Sequence, residues 1–193
     1  MKSSRLAFAL ALVPTLAHAH PGHGAATGGI GWGLVHPFTG LDHILAMIAV
    51  GLWAVQLGKR ALWVLPLSFV SAMAAGASLG IGGLSLPFVE PAILASVIVL
   101  GALIASATRL PLGASATLVA VAAFFHGQSH GIEMPANASG ILTAAGFLIA
   151  TTMLHASGIL AGLMLRGIAQ QRIIRAAGVA IFSAAILLGL GVL

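Results

Sequence analysis

The chain alternates long apolar blocks with short breaks that contain glycine, proline and basic residues. After residue 37, six such blocks follow one another. Each is close to the roughly 20 residues that an α-helix needs to cross the apolar core of a bilayer. The pattern predicts an all-α integral membrane protein built as a bundle of six transmembrane helices. The predicted spans are about 38–58, 61–80, 87–107, 111–131, 138–165 and 172–192.

The N-terminal residues have a different pattern. Two basic residues precede a short apolar run over residues 6–13, and Ala17 and Ala19 provide the small residues of a cleavage site. An apolar run of this length is too short to cross a membrane, which needs roughly 20 residues. We therefore predict a cleaved signal peptide over 1–19 and a transmembrane domain over 20–193.

Composition supports a protein whose main partner is the lipid bilayer. Hydrophobic residues make up 60% of the chain and charged residues 6%, with a mean hydropathy of +1.12, whereas soluble domains contain about 25% charged residues. The chain has no cysteine, which excludes disulfides and thiolate metal sites. The few basic residues lie in short connections, so nucleic-acid binding is not expected.

The basic residues predict the orientation of the spans. All of those after the signal peptide fall in the connections that follow spans one, three and five, so the positive-inside rule places these connections in the cytoplasm. A cleaved signal peptide independently places the mature N-terminus outside, and the C-terminus follows it there. These basic residues are Lys59, Arg60, Arg109, Arg166, Arg172 and Arg175.

Four of the eight histidines and two of the three acidic residues lie in two short motifs. The first motif is at the start of span one and the second is at the end of span four, so the predicted topology places both at the outer surface. Their candidate functional residues are His36, Asp42 and His43 in the first motif, and His126, His130 and Glu133 in the second.

Helical spacing predicts that each motif forms a polar stripe. The members of the second motif are spaced i, i+4 and i+7, which places them on one face of a helix. His36 and His43 have the same i, i+7 relation if Pro37 lies in the first turn and His36 caps it. We expect the two stripes to face one another.

These residue types predict a transition-metal site. Neutral imidazole and carboxylate together suit Ni²⁺, Co²⁺, Zn²⁺, Cu²⁺ or Fe²⁺, whereas Mg²⁺ and Ca²⁺ prefer oxygen ligands. Ionisable groups inside a membrane cost about 2.5–3.5 kcal/mol each on insertion scales and commonly mark function. Either motif alone is equally compatible with structural hydrogen bonds between helices. Six such residues at one membrane surface favour metal binding.

The combination of His36-x5-Asp42-His43 with Phe125-His126-Gly-x-x-His130-Gly-x-Glu133 resembles the HupE/UreJ family of bacterial nickel/cobalt permeases, over the whole mature chain. The resemblance implies a non-enzymatic, multi-pass inner-membrane permease with both termini in the periplasm. Its transported ion would be Ni²⁺, with Co²⁺ as a second candidate, for metalloenzymes such as hydrogenase or urease. No prosthetic group is implied, and assembly into a homo-oligomer stays open. Ser129 departs from the pattern, since a small apolar residue is expected there.

Four further residues are weaker candidates for metal binding or for orienting a ligand. The resemblance suggests importance for Glu90, at the outer start of span three, and for His155, deeper within span five. Interfacial solvation of Glu90 and an interhelical hydrogen bond from His155 are equally compatible with the sequence. His20 and His23 would lie in the mature N-terminal tail and could capture ions weakly, although a solvated tail explains them as well.

Pairs of glycines spaced four residues apart predict close contacts between helices. This small-xxx-small spacing allows two helix backbones to approach, and we assign these residues to packing rather than to ligand binding. The pairs are Gly76 with Gly80, Gly127 with Gly131, and Gly158 with Gly162.

Two other functions are compatible with the same ligands. One is an integral-membrane hydrolase, in which histidines hold Zn²⁺ and Glu133 or Asp42 acts as general base. The other is a periplasm-facing metal sensor or chaperone. A sensor needs no inward path, so it predicts that changing His155 has little effect on metal uptake.

Overall fold

The computed structural model describes residues 29–134, 139–165 and 168–193. These residues form seven α-helices and one 3-10 turn and contain no β-strand, which confirms the all-α prediction for this part of the chain. The predicted signal peptide, His20 and His23 lie outside the described residues. The elements are α1 (Ile30–Val35), the 3-10 turn (His36–Phe38), α2 (Leu41–Leu57), α3 (Ala61–Ile81), α4 (Val89–Ser106), α5 (Leu112–Ile132), α6 (Gly140–Met164) and α7 (Ile168–Gly189).

Helices α3 to α7 match the last five predicted spans to within a few residues. The fifth span forms one uninterrupted helix, Gly140–Met164, with no break near Gly158. In the described part of the chain, α3, α4, α6 and most of α7 are individually long and apolar enough to cross a membrane. Helix α5 has a suitable length but is not in this group, since its last turns contain polar residues. The count of six spans therefore stays a prediction.

The first predicted span differs from the structure at its outer end. The segment Ile30–Phe38 and helix α2 meet at an angle of 84°. Both the amide and the hydroxyl of Thr39 donate to the carbonyl of His36, which closes a tight turn, and Gly40 then adopts an extended conformation. Helix α2 consequently begins only at Leu41. The prediction that His36 caps the same helix as His43, seven residues later, is therefore wrong.

Helices α3 and α5 pack backbone against backbone through glycines on both sides. A methyl group at Gly127 would overlap the carbonyl of Met73, and a methyl group at Gly76 would overlap the carbonyl of Phe124. Gly131 makes the same kind of contact with Ala77. The residue numbers rise together along both helices, so the pair is parallel. The predicted role of these glycines in packing is confirmed.

Two further helix pairs complete the bundle. Helix α2 runs parallel to α6, where a methyl group at Gly158 would press on the backbone of Ile48 and Gly51. Helix α4 runs antiparallel to α7, with Gly101 against Phe182. Each of these pairs joins helices that are separated in sequence by others.

The glycine contact generates a stability prediction. We expect Gly127→Ala to lower the unfolding temperature of the detergent-solubilised protein by about 3–10 °C, because overpacking costs roughly 1–3 kcal/mol and each kcal/mol is worth about 2–4 °C in a chain of this size. The measurement is size-exclusion chromatography after heating. Gly113→Ala is the matched control on the same helix, since nothing lies within 4 Å of its added methyl group. Equal unfolding temperatures for the two variants would contradict the packing described above.

Candidate metal-binding site

The two histidine motifs meet at one end of the bundle. His43, in the first turn of α2, lies with its ring centroid 5.0 Å from that of His126 and 4.6 Å from that of His130. All three side chains are almost completely buried. The prediction that the motifs come together is therefore confirmed for these residues, which come from distant parts of the chain.

The bend before α2 brings His36 to the same cluster by a different route. Its Nε2 atom lies 2.9 Å from Oε2 of Glu133, which is the residue that follows the last turn of α5. Its ring centroid is 5.3 Å from that of His130, and the ring stacks on Trp32 at 4.3 Å. His36 thus joins the two motifs although it is not on the helix that carries His43.

Hydrogen bonds fix which nitrogen of two buried imidazoles is left available. His43 Nδ1 lies 2.8 Å from Oδ1 of Asp42, and His126 Nδ1 lies 2.9 Å from the carbonyl oxygen of Ala122. In a neutral ring the nitrogen beside such an acceptor carries the proton, so the lone pair is on Nε2. Both Nε2 atoms are buried and make no hydrogen bond to any described residue.

This arrangement is the one that metal-binding histidines commonly use. A ligating histidine donates its second ring N–H to a carboxylate or a backbone carbonyl, which fixes its orientation and raises the basicity of the ligating nitrogen. Asp42 is this acceptor for His43, and the carbonyl of Ala122 is this acceptor for His126. Asp42 is therefore placed to orient the His43 ring, and its role as a metal ligand stays a prediction.

An aromatic residue on α6 completes the wall of the cluster. Phe147 stacks on His130, with ring centroids 4.4 Å apart, and meets His36 edge to face at 5.5 Å. Phe147 is buried and comes from a helix outside both motifs. Nothing in the sequence marked it as a neighbour of the histidines, since a single phenylalanine in an apolar helix looks like ordinary core.

The predicted ligands form a connected series of close pairs rather than one compact set. No group of three or more His, Asp or Glu side chains among the described residues is placed so that it could hold a metal ion. The series runs through Glu133, His36, His130, His43 and His126.

His155 lies deeper in the bundle, on α6. Its side chain is 1% exposed, and neither ring nitrogen has a hydrogen-bond partner among the described residues. Its ring meets Phe69 at 4.8 Å, and Phe69 in turn lies 5.6 Å from His126. One phenyl ring therefore touches both imidazoles. His155 lies apart from His36, His43, His126 and His130, which are at the predicted outer surface and are termed the outer cluster.

Glu90 lies in the first turn of α4 and reaches the outer cluster through Ser129. The Ser129 hydroxyl is 2.8 Å from Oε1 of Glu133 and 3.2 Å from Oε1 of Glu90. The sequence marked Ser129 as a departure from the family pattern but did not predict this contact with the two glutamates. The i, i+4 spacing of Ser129 and Glu133 on one helix was the available signal.

The charges of the chain are separated between the two ends of the bundle. All three acidic residues of the sequence lie at the end that holds the histidine cluster: Asp42 starts α2, Glu90 starts α4 and Glu133 ends α5. The described basic residues lie at the opposite end, after α2, after α4 and in the first turns of α7. The end of the bundle marked by Asp42, Glu90 and Glu133 is termed the mouth. Its carboxylates attract cations toward the imidazoles.

Comparison with known proteins identifies the family of the chain. The chain is 47% identical over 193 residues to Protein HupE of Rhizobium leguminosarum bv. viciae, a match that covers 98% of this chain and 100% of that protein. No solved structure gives a significant match. Residues 8–188 match the family described as HupE / UreJ protein. The chain therefore belongs to the HupE/UreJ family.

Proposed function

We propose that this protein is a permease that moves a divalent transition-metal ion, Ni²⁺ foremost and Co²⁺ second, from the periplasm into the cytoplasm. In this proposal it is a multi-pass protein of the bacterial inner membrane with both termini in the periplasm. It supplies metalloenzymes such as hydrogenase or urease, and Ni²⁺ is its cargo rather than a resident cofactor. Membership of the HupE/UreJ family supports this class of function.

One observation supports the proposal most strongly. His43 and His126 come from different motifs, their rings lie 5.0 Å apart, and each has Nδ1 bound to an acceptor and Nε2 buried without a partner. A buried acceptor without a hydrogen bond costs roughly 1–3 kcal/mol. An ion that coordinates these atoms would recover that cost.

The carboxylates at the mouth would act first. A hydrated cation is attracted to Asp42, Glu90 and Glu133, where field lines are focused by the surrounding apolar helices. It then exchanges water for side-chain ligands, beginning with the exposed edge of the cluster at His36 and Glu133. Neutral imidazoles deeper in the cluster favour a transition metal over Mg²⁺ or Ca²⁺ at this step.

Transport also requires that the ion leaves. Ligands arranged as a series of close pairs favour stepwise transfer, in which the ion passes to His130 and then to His43 and His126. Conduction needs sites that bind well enough to admit an ion and weakly enough to release it. Movement of α2 against α5 would open the inward path, with His155 as the next imidazole beyond Phe69.

The first test is uptake of radioactive Ni²⁺ by cells that lack their own nickel importers. We expect the intact protein to support uptake, and we expect His36→Ala, Asp42→Ala and His130→Ala each to reduce it by at least about tenfold, the effect of roughly 1.4 kcal/mol. Uptake is compared at matched amounts of protein in the membrane.

Thr152→Ala serves as the control variant for this experiment, because the Thr152 hydroxyl donates to the Leu148 carbonyl of its own helix. It should take up Ni²⁺ at the rate of the intact protein. Membrane-inserted intact protein that gives no uptake would overturn the nickel-permease proposal and favour the hydrolase or the sensor.

The second test separates a permease from a sensor at the inner histidine. We expect His155→Asn to lower the maximal rate of Ni²⁺ uptake by about tenfold, since removing one station from the path raises a barrier by roughly 1.4 kcal/mol. Binding of Ni²⁺ to the purified protein should stay within about twofold of the unchanged protein, because Phe69 separates His155 from the outer cluster. An unchanged uptake rate would exclude His155 from the path.

A further inference from the structure

A buried hydroxyl lies between two carboxylates at the outer mouth. Ser129 is 3% exposed, and its Oγ atom is within hydrogen-bond distance of both Glu90 and Glu133. These glutamates belong to different helices, α4 and the end of α5. The Ser129 hydroxyl therefore connects the carboxylates of two helices.

The position of this hydroxyl matters because carboxylates repel one another. Two like charges at close range destabilise their arrangement unless a donor or a cation lies between them. The Ser129 hydroxyl has one hydrogen and can donate it to one carboxylate at a time. It is nearer to Glu133, at 2.8 Å, than to Glu90, at 3.2 Å. Both carboxylate oxygens therefore lie within reach of the same donor, which can turn from one to the other.

The neighbouring residue fixes the same part of the fold. Gln128 is fully buried, and its side-chain amide donates to the backbone carbonyl of Leu84 in the connection between α3 and α4. Phe88, just before α4, has a left-handed backbone with φ of 63°, which is unfavourable for a residue with a side chain. Successive polar residues of α5 thus hold the strained start of α4, and with it Glu90, against the mouth.

We propose that Ser129 is a positioning residue that keeps Glu90 beside Glu133, so that both carboxylates meet the incoming ion. The proposal rests on the proposed transport of a divalent metal ion. Glu133 also contacts His36, so the held pair extends into the first motif. Without the hydroxyl, repulsion directs Glu90 toward solvent, and the mouth presents one carboxylate instead of two.

A small apolar residue at position 129 would preserve the packing of α5 but would leave no donor between the glutamates. A serine there strengthens the attraction of the mouth for a dication. It acts on the affinity for the ion and not on the movement that follows binding.

The test compares Ser129→Ala with Ser96→Ala. Ser96 is also a buried serine of this bundle, but its hydroxyl donates to the Ile93 carbonyl of its own helix. We expect Ser129→Ala to raise the KM for Ni²⁺ uptake by about five- to tenfold, which corresponds to the net contribution of one ordinary hydrogen bond, with the maximal rate unchanged. Ser96→Ala should leave both parameters at the values of the intact protein.

A double-mutant cycle tests whether Ser129 acts through Glu90. The Kd for Ni²⁺ is measured on the purified full chain in detergent, so variants that no longer transport are still informative. Glu90→Gln should weaken binding, and adding Ser129→Ala to it should weaken binding no further. Independent, multiplicative effects of the two substitutions would overturn the proposal, as would an unchanged KM for Ser129→Ala. Absence of uptake by the intact protein would instead contradict the proposed function.

Discussion

The close approach of α3 to α5 sets the position of the second histidine motif. Gly127 and Gly131 present only hydrogen atoms to α3, so the two backbones lie in contact and α5 can neither rotate nor slide without a collision. His126 and His130 each precede one of these glycines by one residue. A step of one residue turns a helix by about 100°, so the glycine contact leaves both imidazoles beside the α3 interface and facing His43 at the start of α2. His126 still touches Phe69 of α3. The distances from the His43 ring to the rings of His126 and His130 follow from that constraint.

The same packing explains how the bundle tolerates polar groups in its interior. His43, His126 and His155 are buried with nitrogens that have no hydrogen-bond partner among the described residues, each at a cost of roughly 1–3 kcal/mol. Phenylalanine rings pack against the buried histidines. Phe147 stacks on His130, and Phe69 touches His126 and His155. The apolar surroundings keep the imidazoles fixed and poorly hydrated, which strengthens their interaction with any cation that reaches them.

Sequence patterns predicted the parts of the fold that depend on periodicity. Apolar runs predicted α3 to α7, and the four-residue glycine spacing predicted the helix contacts. Because successive spans run in opposite directions, the start of span one and the end of span four were predicted to lie at the same end. The turn at His36 was not predictable in this way, because it depends on two hydrogen bonds from Thr39 to the His36 carbonyl and on the extended conformation of Gly40. The contacts of Ser129 and Phe147 were missed for a related reason. The contacts of Ser129 with Glu90 and of Phe147 with the histidines join helices that are distant in sequence. No local pattern records which residues face each other across that gap.

The pairing of helices determines when the contacts of the bundle can form during synthesis. Helix α3 packs against α5, α2 against α6, and α4 against α7, so each extensive contact waits for a segment that is synthesised later. Contacts between distant segments form slowly because the intervening chain must first be brought into place. The imidazole cluster needs α2 and α5, and its phenylalanine wall needs α6. The early helices of a nascent chain therefore precede the histidine cluster, which is complete only near the end of biosynthesis.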